Sequence, residues 1–194
     1  MQLTFQQPAT ANAGVNSAMC SGPAFVASDA TASNYTHIAW TTSGTGSFND
    51  DNLLITEYMP SAEDIASGQV TLTLAASNEA CPATTSVKEL TIHAAPQPVL
   101  TGEKTVCALT EGVVYSTPLN TGNTYEWLIT GGTIESGAGT NQVTVKWGSE
   151  TEGLLTISEN TSHNCLTVLT NPITINPIPA TQVSGNNLGC LGDN

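Results

Sequence analysis

The chain has no arginine, and only three lysines stand against sixteen acidic residues in 194 positions. The formal net charge is therefore −13, and a surface this acidic repels other polyanions. Nucleic acid and anionic membrane surfaces are accordingly not expected as partners.

Strong helix formers and long apolar runs are also scarce. Only 10% of the residues are charged, and threonine, at thirty residues, supplies much of the polarity together with serine, asparagine and glycine. This composition suits half-buried strands joined by tight turns, so we expect an all-β protein. No apolar run approaches the roughly 20 residues that span a bilayer, which argues against direct membrane insertion. Met1 is followed by "QLTF" and not by a signal sequence, so any export signal is expected outside this chain.

The chain repeats itself at a period of 83 to 87 residues. Cys20, Cys107 and Cys190 end the similar segments "NSAMC", "EKTVC" and "NNLGC", and we call them the leading cysteines. Trp40 and Trp127 each follow a leading cysteine by 20 residues. Because the cysteines and tryptophans recur with the same spacing, we predict a tandem array of similar repeats.

A second cysteine follows in each repeat, Cys81 in the first and Cys165 in the second. The segments "LTFQQP", "LTIHAAP" and "ITINPIP", which begin at residues 3, 90 and 173, precede the leading cysteines with the same spacing. Each reads as a short strand that runs into a proline-bearing linker. We therefore predict the following organisation: the last strand and linker of a preceding repeat at 1–8, whole repeats at 9–95 and 96–178, and the linker and start of a third at 179–194.

Alternation of apolar residues with threonine predicts strands, as in "VTLTL" at 70–74 and "VTVKW" at 143–147. The turn spacing suggests about seven short strands in each repeat, and hence two tandem antiparallel β-sandwiches. Only "SAEDIAS" reads as helical, with Ser61 as N-cap and Asp64 completing a capping box. We expect one helical turn there.

The order of cysteine, tryptophan and cysteine in each repeat resembles immunoglobulin-type domains, in which two cysteines bridge the core beside a packed tryptophan. That resemblance implies core positions for Trp40 and Trp127, and it implies the disulfides Cys20–Cys81 and Cys107–Cys165. The tyrosine that precedes the second cysteine by two residues in antibody domains is replaced here by Glu79 and His163. A bridge that pins the amino-terminal segment to a late loop therefore stays open. Cys190 is expected to be unpaired in this chain, with a partner about 60 residues further on in a longer parent.

The repeats resemble the PKD-like and immunoglobulin-like tandem repeats of large Bacteroidota cell-surface adhesins, including the SprB-type gliding-motility adhesins. In the first repeat the resemblance rests on "ATANAGVNSAMCSG", "ATASNYTHIAWTTSGTGSF", "YMPSAEDIASGQVTLTLAAS" and "CPATTSVKELTI". In the second it rests on "PVLTGEKTVCALTEGVVYSTP", "NTYEWLITGGTI", "NQVTVKW" and "NCLTVLTNPITINPIP". It implies a secreted cell-surface protein, exported by the type IX route, whose repeats form a stalk or adhesive filament.

Candidate chemical sites are few. His37, His93 and His163 are far apart in sequence and show no metal-ligand spacing, and no GxSxG motif is present, so no catalytic residue is assigned. Asp50 and Asp51 are the best calcium candidates together with Glu57, although a solvated acidic turn is the commoner explanation of such residues.

We therefore expect a non-catalytic structural or adhesive segment without a required cofactor. Its expected partners are neighbouring repeats, and possible further ones are surface glycans or other surface proteins. The alternative is a glycan- or calcium-binding module of a surface protein.

Overall fold

The computed structural model describes residues 6–179. The strand predicted at the start of the chain is therefore largely outside the described residues, as are Cys190 and most of the start of the third repeat. Among the described residues, contacts divide the chain into two compact units. The first runs to Gln97 and also includes Thr121–Thr124 and Glu159–Thr167, and the second comprises Pro98–Asn120, Tyr125–Ser158 and the chain from Val168 onward.

The first unit is built mainly from short strands in separate sheets. The strands before Gln97 are β1 (Thr10–Asn12), β2 (Ser17–Cys20), β3 (Phe25–Val26), β4 (Thr31–Ser33), β5 (His37–Thr42), β6 (Ser47–Phe48), β7 (Glu57–Met59), β8 (Gln69–Asn78) and β9 (Cys81–His93). One sheet has the order β2-β9-β8-β5 and a second has the order β3-β7-β6, while β1 pairs with β4.

The core of this unit follows from the alternation in β8. Leu72 and Leu74 are fully buried on one face of the strand, where they pack with Trp40 of β5 and Leu90 of β9. Tyr58 of β7 is buried in the same cluster, so the second sheet covers the first across one apolar layer. This is the β-sandwich that the period-two pattern predicts, and the all-β prediction is confirmed.

The pairing of β2 with β9 is parallel, whereas β5 with β8 and β8 with β9 pair in antiparallel fashion. The register of the parallel pair sets Ser17 opposite Leu90 and Cys20 opposite His93. The leading cysteine therefore lies beside the last residue of the last strand before the linker.

The predicted helix is present as α1 (Ala62–Ser67), with Ser61 as its N-cap and both hydrogen bonds of the capping box formed. Asp64 is buried, and its carboxylate accepts hydrogen bonds from the Tyr58 hydroxyl at 2.6 Å and from the backbone N–H groups of Ser61, Thr45 and Gly46. Burial acts to raise the pKa of Asp64, but these hydrogen bonds outweigh it and hold the pKa below its usual value.

A lysine occupies a core position in β9. Lys88 is 1% exposed, and its ammonium forms an ion pair with Asp29 and lies 5.1 Å from the centre of the Phe25 ring. Asp29 also accepts a hydrogen bond from the Val15 backbone N–H at 2.9 Å. The hydrogen bond from Lys88, followed by the one from Val15, lowers the pKa of the Asp29 carboxyl.

The remaining strands belong mainly to the second unit. They are β10 (Thr105–Cys107), β11 (Val113–Ser116), β12 (Thr124–Thr130), β13 (Gly132–Ser136), β14 (Gln142–Trp147), β15 (Glu152–Asn160) and β16 (Leu166–Asn176). Two sheets form, with the orders β10-β16-β15-β12 and β11-β14-β13. Both contribute to one core, which includes Tyr115, Trp127, Trp147 and Leu155.

The second unit repeats the parallel pairing of the first. β10 pairs with the end of β16 in parallel, and Cys107 lies opposite Asn176. Each leading cysteine in the described chain is therefore next to the end of its repeat's last strand.

The ion pair of Lys88 predicts unequal effects of removing its two charges. In Asp29→Asn the side chain keeps its size, but the buried ammonium loses its counter-charge, and we expect a loss of about 3 kcal/mol in the free energy of unfolding. Lys88→Met removes the buried charge and keeps an apolar side chain of similar length, so we expect a smaller loss or a gain. Urea denaturation of both variants and the parent measures the difference. Equal losses in the two variants would contradict this account.

The lowered pKa values of Asp29 and Asp64 predict an acid-sensitive fold. Because both carboxyls bind protons more weakly in the folded chain, their contribution to stability is complete above the unfolded pKa of about 4 and is lost as the pH falls through the folded values. We expect a constant melting temperature from pH 7 to about pH 5, and a fall below about pH 4. The Asp64→Asn variant should melt at a lower temperature at pH 7 and lose less on acidification. A parallel pH dependence in the variant and the parent would show that this carboxylate does not contribute.

Candidate functional site

A disulfide joins Cys20 to Cys165 within the first compact unit. Cys20 ends β2, and Cys165 belongs to the Glu159–Thr167 segment that this unit includes. The two residues are 145 positions apart in sequence, with a Cα–Cα distance of 5.5 Å. Cys165 is fully buried. The bond therefore connects the leading cysteine of the first repeat with the second cysteine of the following repeat.

Two histidines flank this disulfide. The rings of His93 and His163 are stacked, with 3.8 Å between their centroids and 12° between their planes. The carbonyl oxygen of His93 accepts the Ser21 N–H at 2.8 Å and lies 3.9 Å from the Cys165 sulfur. The end of β9 thus contacts both sides of the bond, and the histidines border a shallow depression beside Cys20.

A tight turn holds Cys165 in place. The Thr161 hydroxyl accepts hydrogen bonds from the backbone N–H groups of His163 and Cys165, at 3.3 Å and 3.1 Å. Asn164 adopts a left-handed backbone conformation, with φ of 61°. Asparagine tolerates that conformation better than most residues, which suits "SHNC" to a turn between β15 and β16.

The observed bond differs from the pairing expected for Cys20. Cys81 is a free thiol at the start of β9, whereas Cys20 lies opposite His93 at the end of that strand. A strand of 13 residues spans about 40 Å. Bridged cysteines need Cα atoms within about 7 Å, so Cys20 and Cys81 are too far apart to bond. The fold thus corrects the Cys20–Cys81 prediction.

The expected Cys107–Cys165 bond is absent for the same reason. Cys107 is a free, exposed thiol opposite Asn176, and Cys165 precedes the first residue of β16. Cys165 and Asn176 are 11 positions apart, which corresponds to about 36 Å along the strand. The alternative left open by the sequence, a bridge from the amino-terminal segment to a late loop, describes the structure better. Cys190 lies outside the described residues.

Both predicted core tryptophans are buried. The Trp40 indole N–H donates to the Leu54 carbonyl at 3.3 Å, and that of Trp127 donates to the Thr140 carbonyl at 2.8 Å. β5, which carries Trp40, and β2 are opposite edges of one sheet and are separated by about 14 Å. Trp40 therefore belongs to the apolar core, on a different strand from the one that carries the disulfide.

The predicted calcium candidates lie around an exposed turn whose oxygens already accept hydrogen bonds. The Asp50 carboxylate accepts the Asn52 N–H at 2.9 Å, and the Asp51 carboxylate accepts the Asn52 side-chain amide at 2.6 Å. Asn49 connects this turn to β7, because its side-chain oxygen accepts from Thr56 and from the Glu57 N–H. Within residues 6–179, no group of three histidine, cysteine or acidic side chains is placed to hold a metal ion.

Sequence reasoning missed the contact between His93 and His163. The two residues are 70 positions apart and match no metal-ligand spacing. Only alignment of the repeats, which sets each histidine near a cysteine, could have indicated the contact between them. His37 is exposed on β5 and pairs with Ser77.

Residues 93–174 match the family model of the PKD-like domain. PKD-like domains are typically extracellular, adhesion-type modules, and they are a non-enzymatic kind of domain. A search of curated proteins finds no match to this chain. Among the residues that the structure describes, no helix is both long and apolar enough to cross a membrane.

Solved structures similar to this chain include protocadherin domains and a domain of intimin. Human protocadherin-24 EC1-2 is 10% identical with a TM-score of 0.37, over 90% of this chain and 100% of that one. The D00-D0 domain of intimin is 15% identical with a TM-score of 0.35, over 86% and 98%. Protocadherin gamma B2 domains 3-6 are 13% identical with a TM-score of 0.35 over 87% of this chain, which spans about half the length of that structure.

The disulfide leads to a prediction about both pairing and stability. Non-reducing peptide mapping of the acid-quenched chain should recover Cys20 linked to Cys165, with Cys81 and Cys107 alkylated. A cross-link that closes 145 residues contributes about 5 kcal/mol through the entropy of the unfolded chain, so Cys20→Ser should lower the melting temperature strongly. Cys81→Ser is the matched control and should have little effect. Recovery of a Cys20–Cys81 peptide would contradict the pairing.

Proposed function

We propose that this chain is a non-catalytic structural and adhesive repeat segment of a large secreted cell-surface protein. In this proposal it belongs to a stalk or filament that acts in adhesion or gliding motility and is exported by the type IX route. The observation that carries the proposal is the disulfide between the leading cysteine of one repeat and the second cysteine of the next. Residues 9–95 and 96–178 are the two repeats.

The disulfide supports a location outside the cytoplasm. Structural disulfides form and persist in oxidising surroundings, whereas cytosolic thiols are kept reduced. The PKD-like match over residues 93–174 agrees with this, because such domains are typically extracellular and adhesion-type. The strongly acidic surface further disfavours nucleic acid as a partner.

The position of the bond suits a segment that carries tension. When a folded chain is pulled from its ends, each unit that unfolds releases its contour length at up to about 3.5 Å per residue. The disulfide encloses 145 positions, so that stretch cannot lengthen while the bond is intact. A spacer with this cross-link keeps most of its length fixed even after its sheets have opened.

Single-molecule stretching tests the load-bearing role. We expect the oxidised chain, pulled from its two ends until fully unfolded, to lengthen by about 500 Å less than the reduced chain. The matched control is the Cys81→Ser, Cys107→Ser double variant, which keeps the bond and should show the same difference. The Cys20→Ser variant should behave as the reduced chain in both conditions. Equal lengthening of the oxidised and reduced parent would overturn the load-bearing role.

A further inference from the structure

The two free cysteines of the described chain occupy the same kinds of position as the two bonded ones. Cys20 and Cys107 are leading cysteines, and each ends a strand that pairs in parallel with the last strand of its repeat. Cys81 and Cys165 are second cysteines, found where the hairpin turn meets that last strand. One leading and one second cysteine are bonded, and one of each kind is free.

The surroundings of Cys81 reproduce those of Cys165. The Cys165 sulfur lies 3.9 Å from the carbonyl oxygen of His93, and the Cys81 sulfur lies 3.7 Å from the carbonyl oxygen of Gln6. Gln6 is the fourth residue of "LTFQQP", and His93 is the fourth residue of "LTIHAAP". Cys81 therefore contacts the segment before its repeat in the way that Cys165 contacts the segment before its own.

This likeness identifies the missing partner of Cys81. His93 is the residue opposite Cys20 in the parallel register, and Cys165 bonds to Cys20 at that place. If Gln6 ends the last strand of a preceding repeat, the leading cysteine of that repeat lies opposite Gln6 and within reach of Cys81. The same relation applies to Cys107, which lies opposite Asn176 at the end of the last strand of its own repeat. The second cysteine of a following repeat would lie within reach of Cys107 at that place.

We propose that Cys81 bonds to the leading cysteine of the preceding repeat, and Cys107 to the second cysteine of the following repeat. This inference rests on the proposed repeat organisation. An array built in this way carries one disulfide from every repeat to the next, in addition to its continuous backbone. Cys20–Cys165 is the instance of that linkage contained within this chain.

Each bond forms by thiol–disulfide exchange with a protein or small-molecule disulfide as the oxidant. One thiolate attacks the oxidant and gives a mixed disulfide, and the second thiolate then displaces the reduced oxidant. Two S–H bonds are lost and one S–S bond forms, while the oxidant accepts two electrons and two protons. Oxidised glutathione supplies this chemistry in vitro.

A head-to-tail tandem of this chain supplies both partners. In the tandem, Ala9 of the second copy directly follows Pro179 of the first, and the remaining Cys190 is changed to Ser. This junction restores the separation of 145 positions between Cys107 of the first copy and Cys81 of the second, equal to that of the observed bond. After oxidation with glutathione, peptide mapping should recover Cys107 of the first copy linked to Cys81 of the second. Maleimide should then label half as many thiols as it would if only the two Cys20–Cys165 bonds had formed.

The matched control is a tandem with Cys81→Ser in the second copy only. It should retain both Cys20–Cys165 bonds and leave Cys107 of the first copy open to labelling. Free thiols at both positions in the parent tandem, with the two Cys20–Cys165 bonds formed, would overturn the proposal. Absence of the Cys20–Cys165 bonds, or pairing of two Cys81 residues with each other, would overturn it as well. The stretching measurement on the Cys81→Ser, Cys107→Ser chain depends on the Cys20–Cys165 bond and on neither of the bonds proposed here. Its result therefore separates failure of this linkage from failure of the proposed function.

Discussion

The parallel pairing between the strand of each leading cysteine and the last strand of its repeat is the constraint on which the cysteine chemistry depends. It occurs in both units, between β2 and β9 and between β10 and β16. The strand of the leading cysteine pairs only with the final residues of the last strand, so the leading cysteine is aligned with the end of that strand and not with its start. Pairing with the first residues of the last strand would have set it near the second cysteine of its own repeat.

Much of the fold could be predicted from the sequence, because the fold depends on local patterns. The alternation of "VTLTL" corresponds to one buried face of β8, and Ser61 and Asp64 form the expected capping box. The disulfide could not be predicted in the same way. The order of Cys20, Trp40 and Cys81 resembles an immunoglobulin-type domain, but the strand order that decides which cysteines meet depends on contacts far apart in sequence.

Lys88 shows a second limit of pattern reading. The residue stands in phase with Leu90 and Ile92 on the buried face of β9, where alternation alone predicts an apolar side chain. Its partners, Asp29 and Phe25, come from loop and strand positions about 60 residues earlier, and nothing local in the sequence links them to it. A buried charge of this kind is acceptable only when a counter-charge is held close by, so the lysine and the loop around Asp29 depend on each other.

The parallel strands also determine how a repeat responds to force along the chain. When the Cys20–Cys165 bond is reduced, tension enters the repeat near one strand of the pair and leaves it near the other, so the two neighbours are pulled lengthwise in opposite directions. The ladder between β10 and β16 is then loaded in shear, and its hydrogen bonds share the load and must break together. In a hairpin pulled at its open end, by contrast, the hydrogen bonds break in succession, as in a zipper. Strand direction alone therefore gives these small sandwiches mechanical resistance that is separate from their thermodynamic stability.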